Sequence, residues 1–378
     1  MMPVVRALEE AGAPPAVYVT GQHRELLAPI MADLGLVAAE DLGVMQADQA
    51  LGDLSARLLS AVQALLRRRR PGTLVVQGDT TSVAMGALAA FYEGVPVAHV
   101  EAGLRTGNRR NPFPEEMNRR LVSCVADLHF APTPRARDNL LAENVPAEKV
   151  HVVGNTVVDA LFLARDRLVP GLPPDPATEP LLRSPRPLVL VTAHRRESFG
   201  ADLMAIAEGL RKLAAAFTGR IEIVYPVHLN PNVDSAMRGA LAGTPGVHLT
   251  PPLSYLRFVQ LLLRARLVIT DSGGVQEEAS ALGIPFLCAR RASERLEAVE
   301  AGVGELVGPD AEALFASAAR LLQDEAAHAR RAMPTAAFGD GRAASTVALS
   351  PAGSGARAGR AGTVRPMVLV SSAPNRPP

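Results

Sequence analysis

Short runs of Val, Leu and Ile, apolar on both sides of the chain, recur along the sequence with helix-like segments between them. They lie at 16–19, 73–77, 95–100, 128–131 and 150–153, and again at 188–192, 221–225, 247–250, 267–270 and 285–289. A strand with one solvated face alternates polar and apolar residues. A strand buried on both faces does not, and such strands belong to parallel sheets covered by helices. Strand–helix alternation therefore predicts an α/β fold of doubly wound, Rossmann-like type.

A chain of 378 residues suggests two such domains. The stretch 169–187 carries seven prolines and breaks the alternation, so it reads as part of the connection. The expected division is residues 1–158, an N-terminal domain, and 159–345, a C-terminal one. The first domain opens on a helix-like segment at 3–11, where a doubly wound domain would open on a strand. Residues 346–378, rich in Ala, Gly, Arg, Ser and Pro, read as a disordered, dispensable tail.

With 39 basic and 38 acidic residues, the chain is not expected to coat nucleic acid or a membrane surface. No apolar run approaches the ~20 residues of a membrane helix. Cys124 and Cys288 make neither a disulfide framework nor a cysteine zinc site, and a cytoplasmic location is the expectation. The histidines lack metal-ligand spacing, so no metal is expected. Gly302-Val303-Gly304 with Gly308 lacks the spacing of a dinucleotide loop, and NAD is not expected either. The run Arg67–Arg70 reads as a solvated helix end.

Four segments carry chemistry. In Thr270-Asp271-Ser272-Gly273-Gly274 a strand runs into a glycine turn and a helix, where backbone amides cradle phosphate. Glu278, one turn on, suits a ribose diol. The alternative is a plain glycine turn with a solvated glutamate. Asp79, in Gly78-Asp79-Thr80-Thr81, sits where open α/β sheets place ligands, or else caps the next helix. Glu101 closes another strand, and Glu115, Glu116 and Arg119 follow a Pro-Phe-Pro corner. Paired glutamates at a helix start are also ordinary dipole-favoured residues. Yet these acids within 37 residues are a natural supply of acid–base groups. His194-Arg195-Arg196 after a fourth strand suits a diphosphate. His228 follows another strand and reads equally as structure or ligand.

Together these segments resemble the non-hydrolysing bacterial UDP-N-acetylglucosamine 2-epimerases. The likeness runs in order from about residue 2 to 344 and includes Gly21-Gln22-His23-Arg24, Gly154-Asn155-Thr156, Ser293-Glu294-Arg295 and Phe338-Gly339-Asp340-Gly341. It implies the glycosyltransferase-B arrangement, two Rossmann-like domains facing a cleft, with the nucleotide on the second. It implies epimerisation at C2 of UDP-GlcNAc to UDP-ManNAc through elimination and re-addition of UDP, with neither NAD nor metal. Asp79, Glu101, Glu115 and His194 are then the catalytic candidates. Arg119, Ser272, Gly273, Gly274, Glu278 and Ser293 are the substrate and UDP candidates. Gln22, Glu116, Arg195 and His228 match positions that bind a second, activating UDP-GlcNAc in several members, although Glu25 and Asp48 stand where some have Gln and Arg. A homodimer serving polysaccharide biosynthesis is also implied.

The family opens with a strand and a Gly-Thr-Arg-Pro-Glu-Ala-x-Lys loop, and this chain begins where that loop ends. A missing central strand, an annotated start placed too late, and two absent cationic groups are the expectations. Leu296 and Arg291 stand where the family has proline and aspartate. The competing readings are a glycosyltransferase of the same fold, a hydrolysing relative, and an inactive UDP-binding chain.

Overall fold

The computed structural model describes residues 1–21, 31, 35–46, 49–168, 171–193, 199–227, 231–350 and 365–370. The chain divides into two compact units. Unit 1 comprises Met1–Ala160 with Gly339–Pro378, and unit 2 is Leu161–Phe338. Each is an α/β layer structure around one sheet, and every pairing between described strands is parallel.

Unit 2 builds its sheet from β7 (Leu188–Thr192), β8 (Glu222–Pro226), β9 (Val247–Thr250), β10 (Ala265–Thr270), β11 (Phe286–Cys288) and β12 (Gly304–Leu306). Their order is β12-β11-β10-β7-β8-β9, so the winding reverses between β7 and β10. Loops leaving the carboxyl ends of strands at such a reversal diverge to opposite faces and open a crevice for ligands. All five residues of β7 are buried, which explains its unbroken Leu-Val-Leu-Val-Thr sequence.

Unit 1 places β1 (Ala16–Val19), β2 (Glu40–Asp41), β3 (Leu74–Gln77), β4 (Val97–Val100), β5 (Leu128–Ala131) and β6 (Val150–Val152) around one further strand. That strand is β13, Met367–Val370. The order is β2-β1-β13-β3-β4-β5-β6. β13 registers with β1 from Ala16↔Met367 to Val19↔Val370 and with β3 at Met367↔Leu74 and Val368↔Val75. Its side chains alternate. Val368 and Val370 join the cluster of Val4, Val5, Leu8 and Val347. Met367 and Leu369 join Leu65, Leu66, Val83 and Ala87 on the other face. Gly86 makes room for this: a Cβ there would stand 2.5 Å from Cδ2 of Leu369.

Three expectations are thereby corrected. The centre of the first sheet is not empty, because β13 fills it. The tail is not disordered throughout: it contains the end of a helix, Ala343–Leu349, and β13. Residues 339–345 belong to unit 1, not to the C-terminal domain. The last follows from a buried contact, in which Oδ1 of Asp159 accepts from the Ala344 amide at 2.8 Å. Four apolar residues inside an Ala/Gly/Pro-rich segment are too short a run for periodicity to single out.

Candidate active site

In unit 1, Gln77 ends β3 and Gly78-Asp79 turn the chain into the helix Thr81–Tyr92. The helix cap is Thr80, whose hydroxyl accepts from the Val83 amide at 3.3 Å. Asp79 is thus not the cap. Its Oδ2 instead accepts from Nε of Arg119 at 2.9 Å and pairs with Nη2 at 2.8 Å. Its carbonyl accepts from Asn118 Nδ2 at 2.8 Å. Both Asn118 and Arg119 project from the helix Glu115–Val125, which therefore locks the Asp79 turn at two points.

Arg119 also reaches Oε2 of Glu116 at 3.2 Å. Glu116 is fully buried. Its oxygens accept from the Thr106 amide at 3.0 Å and the Gly107 amide at 3.3 Å. The order Asp79–Arg119–Glu116 sets a guanidinium whose side chain is 4% exposed between two carboxylates, Glu116 also pairs with Arg120 at 3.5 Å, and the Asp79 side chain keeps 28% exposure. Removing one member of such a buried set leaves an uncompensated charge, at a cost of about 3–5 kcal/mol. Arg119 is engaged here by the protein's own acids, and Glu116 holds the 106–107 loop.

Glu101 follows β4 with φ +63, in the left-handed region that side chains other than Asn or Asp seldom enter. Such strain costs about 1–3 kcal/mol and marks functional positions. Its Oε2 lies 3.7 Å from where a Cβ on Gly78 would stand, which places it beside the Asp79 turn. Glu115 begins its helix, half-buried. His99, within β4, hydrogen-bonds the Gly78 carbonyl through Nε2 at 2.8 Å. Burial pushes its pKa down to about 3, so it stays neutral and acts as a strut for the turn.

In unit 2, β10 delivers Ser272, which precedes the helix Gly273–Leu282 without a side-chain cap. The strand end is braced by Thr192 Oγ1 against Thr270 Oγ1 at 2.6 Å and by the Ser272 amide on Thr270 Oγ1 at 2.9 Å. Gly273 is required by its neighbour: a Cβ there would meet the Arg295 guanidinium at 2.6 Å. Arg295 is buried, with Nε on Glu277 at 2.8 Å and Nη1 on Glu294. Its uncapped amides make this helix start attractive to an anion.

Glu278 is 3% exposed, and its Oε1 accepts from the Tyr255 hydroxyl at 2.7 Å. Burial raises its pKa to about 7, against the pull of the tyrosine. Ser293 is buried, donates to Gln276 at 3.0 Å and accepts from the Arg295 amide at 3.1 Å, so it braces the helix from within. His194, Arg195, Gln22, His228, Glu25 and Asp48 lie outside the described residues. Asn118, His99 and Arg295 fall within segments that carry the family likeness but were given no role, and Tyr255 was not singled out in the sequence. Asn118 adjoins a chosen arginine, but nothing ties Tyr255 to a glutamate 23 positions away.

The family model described as UDP-N-acetylglucosamine 2-epimerase matches residues 6–350. The UDP-N-acetylglucosamine 2-epimerase of Salmonella typhimurium is 43% identical over 351 residues, covering 92% of this chain and 93% of that protein. Among solved structures, the UDP-GlcNAc 2-epimerase of Neisseria meningitidis bound to UDP-GlcNAc superposes with a TM-score of 0.86 at 36% identity, covering 92% of this chain and 94% of that one. MnaA of S. aureus, in a co-structure with UDP, gives 0.85 at 35% identity, covering 92% and 91%.

Proposed function

The chain belongs to the UDP-N-acetylglucosamine 2-epimerase family, and from that premise we propose that it inverts C2 of UDP-N-acetylglucosamine to give UDP-N-acetylmannosamine, reversibly and by elimination. The C2 proton is too weakly acidic for simple removal and return. Loss of that proton together with UDP from C1 breaks C2–H and C1–O and forms C1=C2. The products, 2-acetamidoglucal and UDP, stay bound. A proton then reaches C2 from the other face, and a β-phosphate oxygen of UDP re-forms the bond to C1.

The observation that carries this reading is the carboxylate of Asp79. It stands at the carboxyl end of β3, beside the point where the sheet's winding reverses, held through one oxygen by Arg119. Asp79, Glu101 and Glu115 are the acid–base groups, and Arg119 positions Asp79. The start of the helix Gly273–Leu282 grips the diphosphate, with His194 assisting its departure, and Glu278 takes the ribose. By the same family likeness the protein works as a cytoplasmic homodimer in polysaccharide biosynthesis, and light scattering after size exclusion tests the dimer.

The reaction run in deuterated water, with UDP-GlcNAc and no acceptor, tests the mechanism. Deuterium is expected at C2 of the product, with traces of glucal and UDP on long incubation. Asp79→Asn should keep its affinity for UDP yet turn over roughly 10²-fold more slowly, the scale of a lost general acid or base. Product without deuterium or glucal overturns elimination, and UDP accumulating mole for mole with free sugar means hydrolysis instead.

A further inference from the structure

Three buried acids lie close together in unit 2, and they are not treated alike. Glu277 and Glu294 are each paired with an arginine: Arg295 reaches both, and Arg290 Nη1 adds a contact to Glu294 at 2.9 Å. Glu278 has, among the described residues, one side-chain hydrogen-bond partner, and it is a neutral phenol. Glu277 and Glu278 are successive on one helix, so their side chains leave it about 100° apart. One turns toward the internal cation and the other toward the tyrosine.

The difference has a chemical consequence. A cation satisfies a carboxylate by discharging it. A phenol satisfies one lone pair and leaves the charge in place. A nearly buried carboxylate treated this way gains most from further neutral donors. Two neighbouring hydroxyls supply them, whereas a phosphate would be repelled. Glu278 lies five residues beyond Gly273, about 7.5 Å along the axis at 1.5 Å per residue. That separation is of the order a nucleoside diphosphate spans between its phosphates and its ribose hydroxyls. Tyr255 opens the helix Tyr255–Arg264, whose cap is Ser254.

We propose that Tyr255 is a positioning residue for nucleoside recognition: its hydroxyl fixes Oε1 of Glu278 and thereby leaves Oε2 to accept from the ribose diol. The proposal rests on the reading of unit 2 as the UDP site. Removing the phenol oxygen lets the carboxylate rotate and protonate, and the diol loses its acceptor while the phosphates keep theirs.

The test is titration calorimetry of the full chain with UDP and with 2′,3′-dideoxy-UDP, for wild type, Tyr255→Phe, Glu278→Gln and the double variant. Wild type should prefer UDP by tenfold or more, the scale of a hydrogen bond to a charged group. Tyr255→Phe should bind UDP about five- to tenfold more weakly and the dideoxy compound unchanged. In the Glu278→Gln background the same change should cost less than twofold. A Tyr255→Phe variant that weakens both ligands equally shows a merely structural role and overturns the proposal, as does one that weakens neither. Wild type that binds UDP no better than its dideoxy analogue removes Glu278 from the ribose. Wild type that binds neither ligand overturns the UDP reading itself, and the proposal with it.

Discussion

The two sheets reach one winding pattern from different stretches of chain. In unit 2 the strand at the reversal is β7, and β8 and β9 follow it directly in sequence. In unit 1 the same place is taken by β13, which comes from the far end of the chain and sits between β1 and β3. The candidate groups are placed alike, Asp79 after the neighbour of β13 and Ser272 after the neighbour of β7. A sheet centre is thus a physical vacancy, to be filled by any segment that is apolar on both faces and in register. Distance along the chain matters little, because loop-closure entropy grows only with the logarithm of loop length.

The most forceful way to break this comparison is to end the chain after Ser350. Burying Met367, Val368, Leu369 and Val370 contributes about 6–12 kcal/mol at 1.5–3 kcal/mol per side chain, an upper bound. That rivals the whole stability of a domain, about 5–15 kcal/mol. Amide exchange read by mass spectrometry should lose protection across β1 and β3 while β7 and β10 keep theirs. Unit 1 peptides that stay protected in the shortened chain would remove β13 from the sheet.

Three buried groups, two in unit 1 and one in unit 2, respond to acidity with opposite sign. His99 and His129 are held by burial at pKa values of about 3 and about 4, below the ordinary 6.5. A depressed histidine contributes stability above pH 6.5 and loses it as pH falls toward its folded value. Glu278 is raised from 4.5 to about 7, so its contribution is whole below pH 4.5 and fades as pH rises through 7. Between pH 4.5 and 6.5 these groups therefore pull unit 1 and unit 2 in opposite directions. Denaturant unfolding of His99→Asn should show wild type losing about 2–3 kcal/mol of its advantage over that range on acidification. Glu278→Gln should gain a similar amount on wild type as pH rises to 7. Two gaps that shift in the same direction would refute the contrast.

A smaller change sharpens the seat of β13. Gly86 lies inside the helix Thr81–Tyr92, where alanine normally stabilises by about 0.5–1 kcal/mol. With Leu369 packed against it, Gly86→Ala should instead destabilise unit 1 by about 1–2 kcal/mol through overpacking. Leu369→Ala should cancel part of that penalty in the double variant. A stabilising Gly86→Ala means that Leu369 is elsewhere.

Much of this molecule was legible in advance, for identifiable reasons. The ten apolar runs predicted strands because burial on both faces leaves a local signature, visible in Leu188–Thr192 without any tertiary knowledge. Strand-then-helix punctuation placed Asp79 and Ser272 at strand ends, where the structure has them. Met367–Val370 was not found, since four residues in a Pro- and Gly-rich setting carry no period. The one-turn spacing from Glu115 to Arg119 suggested shared chemistry, but not that the arginine answers to Asp79, 40 positions earlier.

The sequence alone thus determined the elements that depend on near neighbours: strands, helix starts, glycine turns, and the kinds of residue standing at strand ends. Only the tertiary structure decided which of those residues are presented and which are occupied. Glu116, Ser293 and Arg119 have the composition of ligands, yet each is engaged by partners brought together across the fold. Glu277 and Glu278 are identical letters side by side, and the fold gives one a guanidinium and the other a phenol. The physical reason is that a side chain's charge state and availability depend on everything within a few ångströms of it. For these groups, those neighbours come from distant parts of the chain.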